Sequence, residues 1–247
     1  MKNFTLECCV DSVASACAAK AGGATRLELC ANLVIGGTSP SPALFARVRE
    51  AAALPTRVLL RPRFGDFLYD PDELAILRDE IHMFRAQGVD GIAIGCLTAG
   101  GALDMDAMAL LMDAADGLPV TLHRAFDLCA DPMAALAQAK ALGVSTILTS
   151  GGQGRAVEGA ALLTALHKHA DGIEILAGAG IHAEAIRMLL RETPLTSFHM
   201  SGKAIRQSNM RYRNPAVFMG LPGVSEYEIW QTDEALVRAA RTVLETA

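Results

Sequence analysis

The sequence predicts an α/β protein in which eight parallel strands close into a single (β/α)8 barrel. Three observations lead to this prediction. Eight short apolar runs are spaced along the 247 residues, each is followed by a helix or a long loop, and Gly often separates a helix from the next run. Barrels of this kind reach this length as one domain. No linker or low-complexity tract interrupts the chain, so we expect one domain over residues 1–247.

The apolar runs define the predicted strands, which lie near residues 4–9, 25–30, 57–62, 91–95, 119–124, 145–149, 173–177 and 196–200. Three of the helices between them begin with a capping side chain followed by Pro, at Ser41, Asp70 and Asp131. After Asp70, apolar residues recur at helical spacing and stop before Gly88, as expected at a helix end. The last helix is predicted over residues 232–245. The long irregular segment before it should fold over one end of the barrel or contact another subunit.

Composition and charge restrict the partners. The net charge is −5 and the chain has no basic run, which argues against nucleic acid or an anionic membrane and favours a small molecule. The stretch "MKNFTLECCV" has too few apolar residues for a signal peptide, and no apolar run approaches about 20 residues, so we expect a cytoplasmic location. The six cysteines are then expected to be reduced thiols.

Polar side chains stand at the ends of several predicted strands, where (β/α)8 barrels carry their chemistry. Alternation along each strand pairs residues on one inward face: Glu7 with Cys9, Glu28 with Cys30, Arg61 with Arg63, Thr121 with His123, and His199 with Ser201. Buried carboxylates need partners, so Glu7 and Glu28 should be neutralised by Arg61, Arg63 or Arg124. The set fits either a structural ion-pair layer or a catalytic site. In the second case the candidate catalytic residues are Glu7, Glu28, Arg61 and His123.

Gly-rich loops follow the sixth, seventh and eighth strands, in "TSGGQG", "AGAGI" and "MSGKA". Any one of them could be an ordinary turn, but three together at one end predict a phosphate or carboxylate held by backbone N–H groups. The candidate anion-binding residues are Arg61, Arg63, Arg124, Ser150, Gly151, Gly178, Gly180, Ser201 and Gly202.

Several of these motifs together resemble one protein family. "LECCVDS", "RLELCANLVIGGTSPS", "RPRFGDFLYD", "VTLHRAFD", "ILTSGG", "AGAGI" and "MRYRN" occur in this order over nearly the whole chain and are similar to the CutC family. The resemblance implies a cytoplasmic TIM-barrel protein that forms a homodimer or a higher homo-oligomer. It also implies a historical link to copper tolerance and a proposed Cu(I) ligand, without an agreed reaction.

The family pattern carries over onto Glu7, Glu28, Cys30, Asn32, Gly36, Gly37, Arg61, Arg63, Asp66, His123, Arg124, Asp127, Ser150, Gly151, Gly178 and Gly180. The arginine loop departs from it. Family members usually have a Gly and a Cys where this chain has Phe64 and Leu68. A copper site that used that loop thiol cannot form here.

Two classes of function therefore stay open. As a binding protein, the chain would hold copper(I), which prefers thiolate ligands, through Cys9 and Cys30 at the ends of adjacent strands. No Cys-x-x-Cys spacing supports a dedicated carrier. As an enzyme, it would clamp a small-molecule anion with Arg61 and Arg63, while His123 with a nearby carboxylate moves a proton.

Overall fold

Eight parallel strands close into a barrel in chain order. The computed structural model describes residues 4–214, 216–220 and 223–247. The barrel strands are β1 (Thr5–Val10), β2 (Arg26–Leu29), β3 (Thr56–Leu59), β4 (Gly91–Ile94), β5 (Val120–Leu122), β6 (Thr146–Thr149), β7 (Glu174–Ala177) and β8 (Ser197–Met200). Each pairs in parallel with its neighbour, and β8 pairs with β1. The predicted (β/α)8 barrel is confirmed.

Helices alternate with the strands. They are α1 (Val13–Ala21), α2 (Pro42–Ala52), α3 (Pro71–Ala86), α4 (Met105–Ala115), α5 (Pro132–Leu142), α6 (Ala160–Lys168), α7 (Ala183–Glu192) and, at the end of the chain, α8 (Glu234–Glu245). The predicted caps Ser41, Asp70 and Asp131 each accept backbone N–H groups from the first turn of their helix. Such caps stabilise a helix by about 1 kcal/mol and set where α2, α3 and α5 begin.

The segment before α8 is more regular than predicted. Two antiparallel strands, β9 (Lys203–Gln207) and β10 (Glu228–Thr232), form a ribbon; residues 215, 221 and 222 of the connecting loop are outside the described residues. The Thr232 N–H donates to the Ser15 hydroxyl of α1 over 3.1 Å, which ties the ribbon to the first βα unit. The Lys203 ammonium lies 3.9 Å from the Trp230 ring centroid.

Side chains alternate between two cores. Leu27, Leu29 and Ile147 belong to the large cluster between barrel and helices, as their predicted facing requires. Cys30, Leu59 and Ala93 form a small separate cluster. The remaining inward positions are largely polar, and they build the site.

None of the helices in the described part of the chain combines the length and the apolar composition that crossing a membrane requires. The cytoplasmic location and the homo-oligomeric state stay predictions.

Candidate active site

His199 stands between two carboxylates inside the barrel. On β1, Glu7 lies opposite His199 of β8 on one side and opposite Arg26 of β2 on the other. The Nδ1 atom of His199 is 2.7 Å from Glu7 Oε1, and its Nε2 atom is 3.8 Å from Glu28 Oε2. Both carboxylates and the imidazole are buried. The barrel register thus assembles a carboxylate, imidazole and carboxylate arrangement.

Arg26 supplies the positive charge that Glu7 needs. Its Nε–H donates to Glu7, and its Nη1 donates to Glu174 Oε2 over 3.1 Å. Arg26 faces inward because it precedes Glu28 by two residues on the same strand. The sequence predicted that Glu7 and Glu28 are neutralised by Arg61, Arg63 or Arg124. This prediction is wrong, because these three arginines form their hydrogen bonds with other groups.

Burial and neighbouring charges separate the pKa values of the three groups. Burial raises the pKa of Glu7, but the hydrogen bond with His199 and the Arg26 charge outweigh it and lower that pKa from 4.5 to about 2. Burial raises the pKa of Glu28 to about 7, against the opposing charge of His199. For His199, burial lowers the pKa, but the acidic groups of Cys9, Glu28 and Glu7 outweigh burial and hold it well above 6.5. Glu28 is therefore the group that changes protonation near neutral pH.

The same three residues offer ligand atoms that all lie within 4.8 Å of one another. Two carboxylates and an imidazole suit a divalent cation. Here, however, the Arg26 guanidinium already occupies one side of Glu7, and the raised pKa of His199 favours imidazolium. The local positive charge therefore favours proton transfer over cation binding.

A cavity of 110 Å³ lies above this arrangement at the carboxyl-terminal end of the barrel. It brings together three of the four predicted catalytic residues and both predicted copper ligands. Its lining consists of Cys9, Glu28, Cys30, Leu33, Gly36, Leu59, Arg61, Phe67, His123, Arg124, Leu148 and His199. Glu7 is not among the lining residues, but it contacts His199, which is one of them.

Arg63 is held by two carboxylates, and it is not among the residues that line the inner and outer cavities. Its Nε–H donates to Glu73 Oε1 over 2.5 Å, and its Nη2 donates to Asp66 Oδ1 over 2.9 Å. Position 63 lies beyond the end of β3, in a loop that turns toward α3, so strand alternation no longer sets its direction. Its assignment to the anion site stays a prediction.

The Gly-rich loop after β6 already holds a carboxylate of the chain itself. Asp127 accepts hydrogen bonds from the N–H groups of Ser150 and Gly152, and from the Thr149 hydroxyl over 2.5 Å. The N–H of Gly151 donates to the Thr149 hydroxyl. The predicted anion-binding N–H groups of Ser150 and Gly151 therefore already donate to Asp127 and to Thr149, and their role in binding an external anion stays a prediction.

Of the predicted anion-binding residues in the loops after β7 and β8, some line a cavity and others are explained by packing. Gly180 and Ser201 line an outer cavity of 340 Å³ together with Lys203. Gly178 instead donates its N–H to the Thr149 carbonyl, and a side chain there would lie 2.6 Å from Leu148. Gly202, with φ +54°, has Val237 2.9 Å from the position of an added Cβ. Packing explains these two glycines.

The inner and outer cavities adjoin. They share Cys9, Leu33, Arg124 and His199. A ligand in the outer cavity would therefore face His199 and the entrance to the inner one.

Comparison with known proteins decides the family. The sequence model that describes the CutC family matches residues 4–204 of this chain. The chain belongs to the CutC family. It is 43% identical to a CutC family protein of Pasteurella multocida, over 97% of this chain and 98% of that protein. It is 40% identical to the human copper homeostasis protein cutC homolog, over 97% and 89% respectively. A crystal structure of CutC from Streptococcus agalactiae superposes with a TM-score of 0.76 at 30% identity, covering 81% of this chain and 99% of that one.

In this CutC family chain, Cys9 and Cys30 share the inner cavity, as their predicted facing requires. They are not directly opposite each other, because Cys9 pairs with Glu28 and Cys30 lies two residues further along. The Cys30 thiol donates to the Val10 carbonyl over 3.5 Å. Burial raises the pKa of Cys30 well above 9.0, so this thiol is protonated at neutral pH.

Three contributors to the site were not assigned a role from the sequence: Arg26, Phe67 and Asp127. Arg26 carried a usable signal, since it has the same strand parity as Glu28. Asp127 follows β5, and the Gly-rich loop follows the neighbouring strand β6. The residues next to Asp127 in sequence do not indicate that its carboxylate bonds to that loop. His199 was placed on the inward face without a chemical role.

Proposed function

We propose that the protein is an enzyme that transfers a proton to or from a small anionic metabolite at the carboxyl-terminal mouth of the barrel. The observation that supports this most directly is the placement of His199 between Glu7 and Glu28 at the edge of a cavity. Clusters of titratable groups that face a cavity are typical of active sites.

Glu28 has the properties of the proton-transfer group. Its pKa of about 7 is close to working pH, where general acid and base catalysis is most effective. Its Oε2 atom lies 3.8 Å from His199 Nε2, beyond hydrogen-bonding distance, so the carboxyl group retains bonding capacity for a substrate. Glu7, held by Arg26 and His199, keeps the imidazole oriented and charged. A layer needed only for packing would not leave Glu28 facing a cavity.

The outer cavity favours an anionic ligand. Lys203 and Arg124 bring positive side chains to its wall, while Gly180 and Ser201 bring backbone from the loops after β7 and β8. The nearby start of α7 adds the favourable dipole of a helix N-terminus. A volume of 340 Å³ is in the range of small-molecule pockets.

Ligand-dependent thermal stabilisation tests the proposal. We expect inorganic phosphate or pyruvate at millimolar concentration to raise the melting temperature of the wild type, because a ligand at 100 times its Kd stabilises by about 2.7 kcal/mol. Lys203→Gln should weaken that binding about tenfold. The matched control is Lys168→Gln, which removes an exposed lysine at the end of α6, far from the cavity. No anion-dependent shift in the wild type, or equal shifts in both variants, would contradict the proposal.

A second candidate is a Cu(I)-binding protein. Cys9, Cys30 and His199 line one cavity, and human and mouse relatives carry the name copper homeostasis protein cutC homolog. Cu(I) is a soft ion that binds thiolates in low coordination numbers. Because the raised pKa keeps Cys30 protonated, Cu(I) must displace a proton, and affinity should rise with pH.

Anaerobic titration against a competing Cu(I) chelator tests this candidate. Cys30→Ser should release copper that the wild type and Cys17→Ser retain, since Cys17 is an exposed thiol on α1. Copper lost equally to the chelator by all three proteins would rule the candidate out.

A further inference from the structure

A second imidazole, His123, lines the inner cavity and is held quite differently from His199. It follows β5 and is only 4% exposed. Its Nδ1 accepts the backbone N–H of Ala125 over 3.2 Å, which places the proton of the neutral ring on Nε2. Within the described residues, Nε2 has no hydrogen-bond partner. The ring therefore presents a buried, unused N–H donor.

Burial, together with the nearby charge of Arg61, keeps this donor neutral. Burial, and then the positive charge of Arg61, lower the pKa of His123 from 6.5 to about 3. Arg61 itself is fixed in place, because its guanidinium donates to the carbonyls of Gly37 over 3.2 Å and Gly65 over 2.6 Å. At neutral pH the neutral ring can donate one hydrogen bond from Nε2, and its low pKa does not suit the proton-transfer role that the sequence suggested for His123.

The ring is also held in one orientation. Phe67 packs against it with centroids 4.8 Å apart, and the Arg61 guanidinium lies 4.9 Å from the Phe67 centroid. Gly95 leaves room for the ring, since a Cβ at that position would be 2.7 Å from Cε1 of His123. A donor positioned by three neighbours is preorganised for an acceptor that arrives in the cavity.

A buried donor without an acceptor destabilises the fold, and here the cavity that His123 lines is also lined by Glu28. We infer that His123 donates its Nε2–H to a carbonyl oxygen of the substrate, and that the substrate is a small carbonyl compound whose adjacent C–H bond is broken by Glu28. This inference rests on the proposed function and specifies that its substrate, a small anionic metabolite, is a carbonyl compound.

The step balances without another reactant. The Glu28 carboxylate takes the proton from the carbon next to the carbonyl, and the C–H electron pair becomes the C=C bond of an enolate. The carbonyl π pair moves onto oxygen, where the negative charge is stabilised by the His123 N–H. Return of the proton from Glu28 to the same carbon regenerates the substrate. In deuterated water the carbon then acquires deuterium, which gives a direct assay.

Proton NMR in D2O measures that exchange with pyruvate, dihydroxyacetone and glycolaldehyde phosphate as probes. We expect the wild type to exchange at least one probe, and His123→Phe to lower the rate 10²–10³-fold, the usual effect of losing one oxyanion donor. His123→Gln restores an N–H and should recover much of the rate. Glu28→Gln should abolish exchange. His167→Gln, at an exposed histidine of α6, is the control and should match the wild type.

Binding of oxalate, a planar mimic of the pyruvate enolate, separates the inference from the proposed function. The wild type should be stabilised by oxalate more than by acetate, and the 15N-detected Nε2–H of His123 should shift on oxalate addition, a readout that does not depend on variants folding. Phosphate binding without probe exchange and without an oxalate-induced shift would overturn the carbonyl inference but leave the proposed function standing. If no anion binds at all, both fail. Exchange that His123→Phe leaves at the wild-type rate would overturn the role of His123.

Discussion

Replacing Glu28 with Gln should stabilise the protein at alkaline pH and have a much smaller effect at acidic pH. Gln has the shape of the protonated carboxyl group and cannot ionise. The folded protein raises the pKa of Glu28 from 4.5 to about 7, mainly through burial, and the residue is only 6% exposed. A group with a raised folded pKa contributes stability that is present below about 4.5 and is lost as the pH rises through about 7.

The magnitude follows from the two pKa values. The difference between 4.5 and about 7 corresponds to about 3 kcal/mol in the free energy of unfolding. Most of it is lost between pH 5 and pH 8, so the stability of Glu28→Gln relative to wild type should rise by about 2–3 kcal/mol over that interval. For a domain of this size, that is roughly a 5–10 °C change in relative melting temperature.

Urea unfolding at pH 5, 6.5 and 8 measures the difference directly. Glu192→Gln is the matched control, because that carboxyl group is exposed at the end of α7, and its difference from wild type should not change with pH. A difference between Glu28→Gln and wild type that stays constant from pH 5 to pH 8, or that falls, would refute the assignment of the near-neutral titration to Glu28.

The remaining predictions concern the groups that hold the two histidines. Gly95→Ala should displace the His123 ring, since the new methyl group would lie 2.7 Å from it, and should lower the free energy of unfolding by about 1–3 kcal/mol. Gly100→Ala is the control and should not lower it, because the nearest group there is 3.8 Å away. Equal urea midpoints for the two variants would contradict the packing argument. Arg26→Met should destabilise by about 3–5 kcal/mol, because the buried Glu7 loses its ion pair with Arg26 and keeps only the one with His199. Adding Glu7→Gln should recover part of that loss, and a double variant no more stable than the single would show that Arg26 acts through packing alone.

Several features of the site could be predicted because they depend on neighbours in sequence. Glu28 on β2 and Cys30 directly after β2 are two residues apart, so strand alternation predicted that both side chains point inward. The same rule placed His199 of β8 inside the barrel. The capping residues Ser41, Asp70 and Asp131 were recognisable because each bonds to its own first turn. These interactions span a few residues and have a repeating geometry.

The choice of partners across the barrel could not be predicted in the same way. Asp127 reaches the loop after β6, and Arg26 bonds to both Glu7 and Glu174, which is 148 residues away. Arg63 looked equivalent to Arg61 by spacing, yet it turns outward to Glu73. Several carboxylates and guanidiniums could have formed each ion pair, and the sequence does not indicate which of the possible pairs forms.

The sequence by itself determined the order of strands and helices, the helix starts and the inward set of polar residues, because hydrophobic periodicity and capping are local. Only the tertiary structure decided that His199 stands between Glu7 and Glu28, and that His123 is neutral beside Arg61. The physical reason is that barrel closure brings β8 against β1 and buries these groups together. Their protonation then depends on distances and desolvation that exist only once the chain has closed.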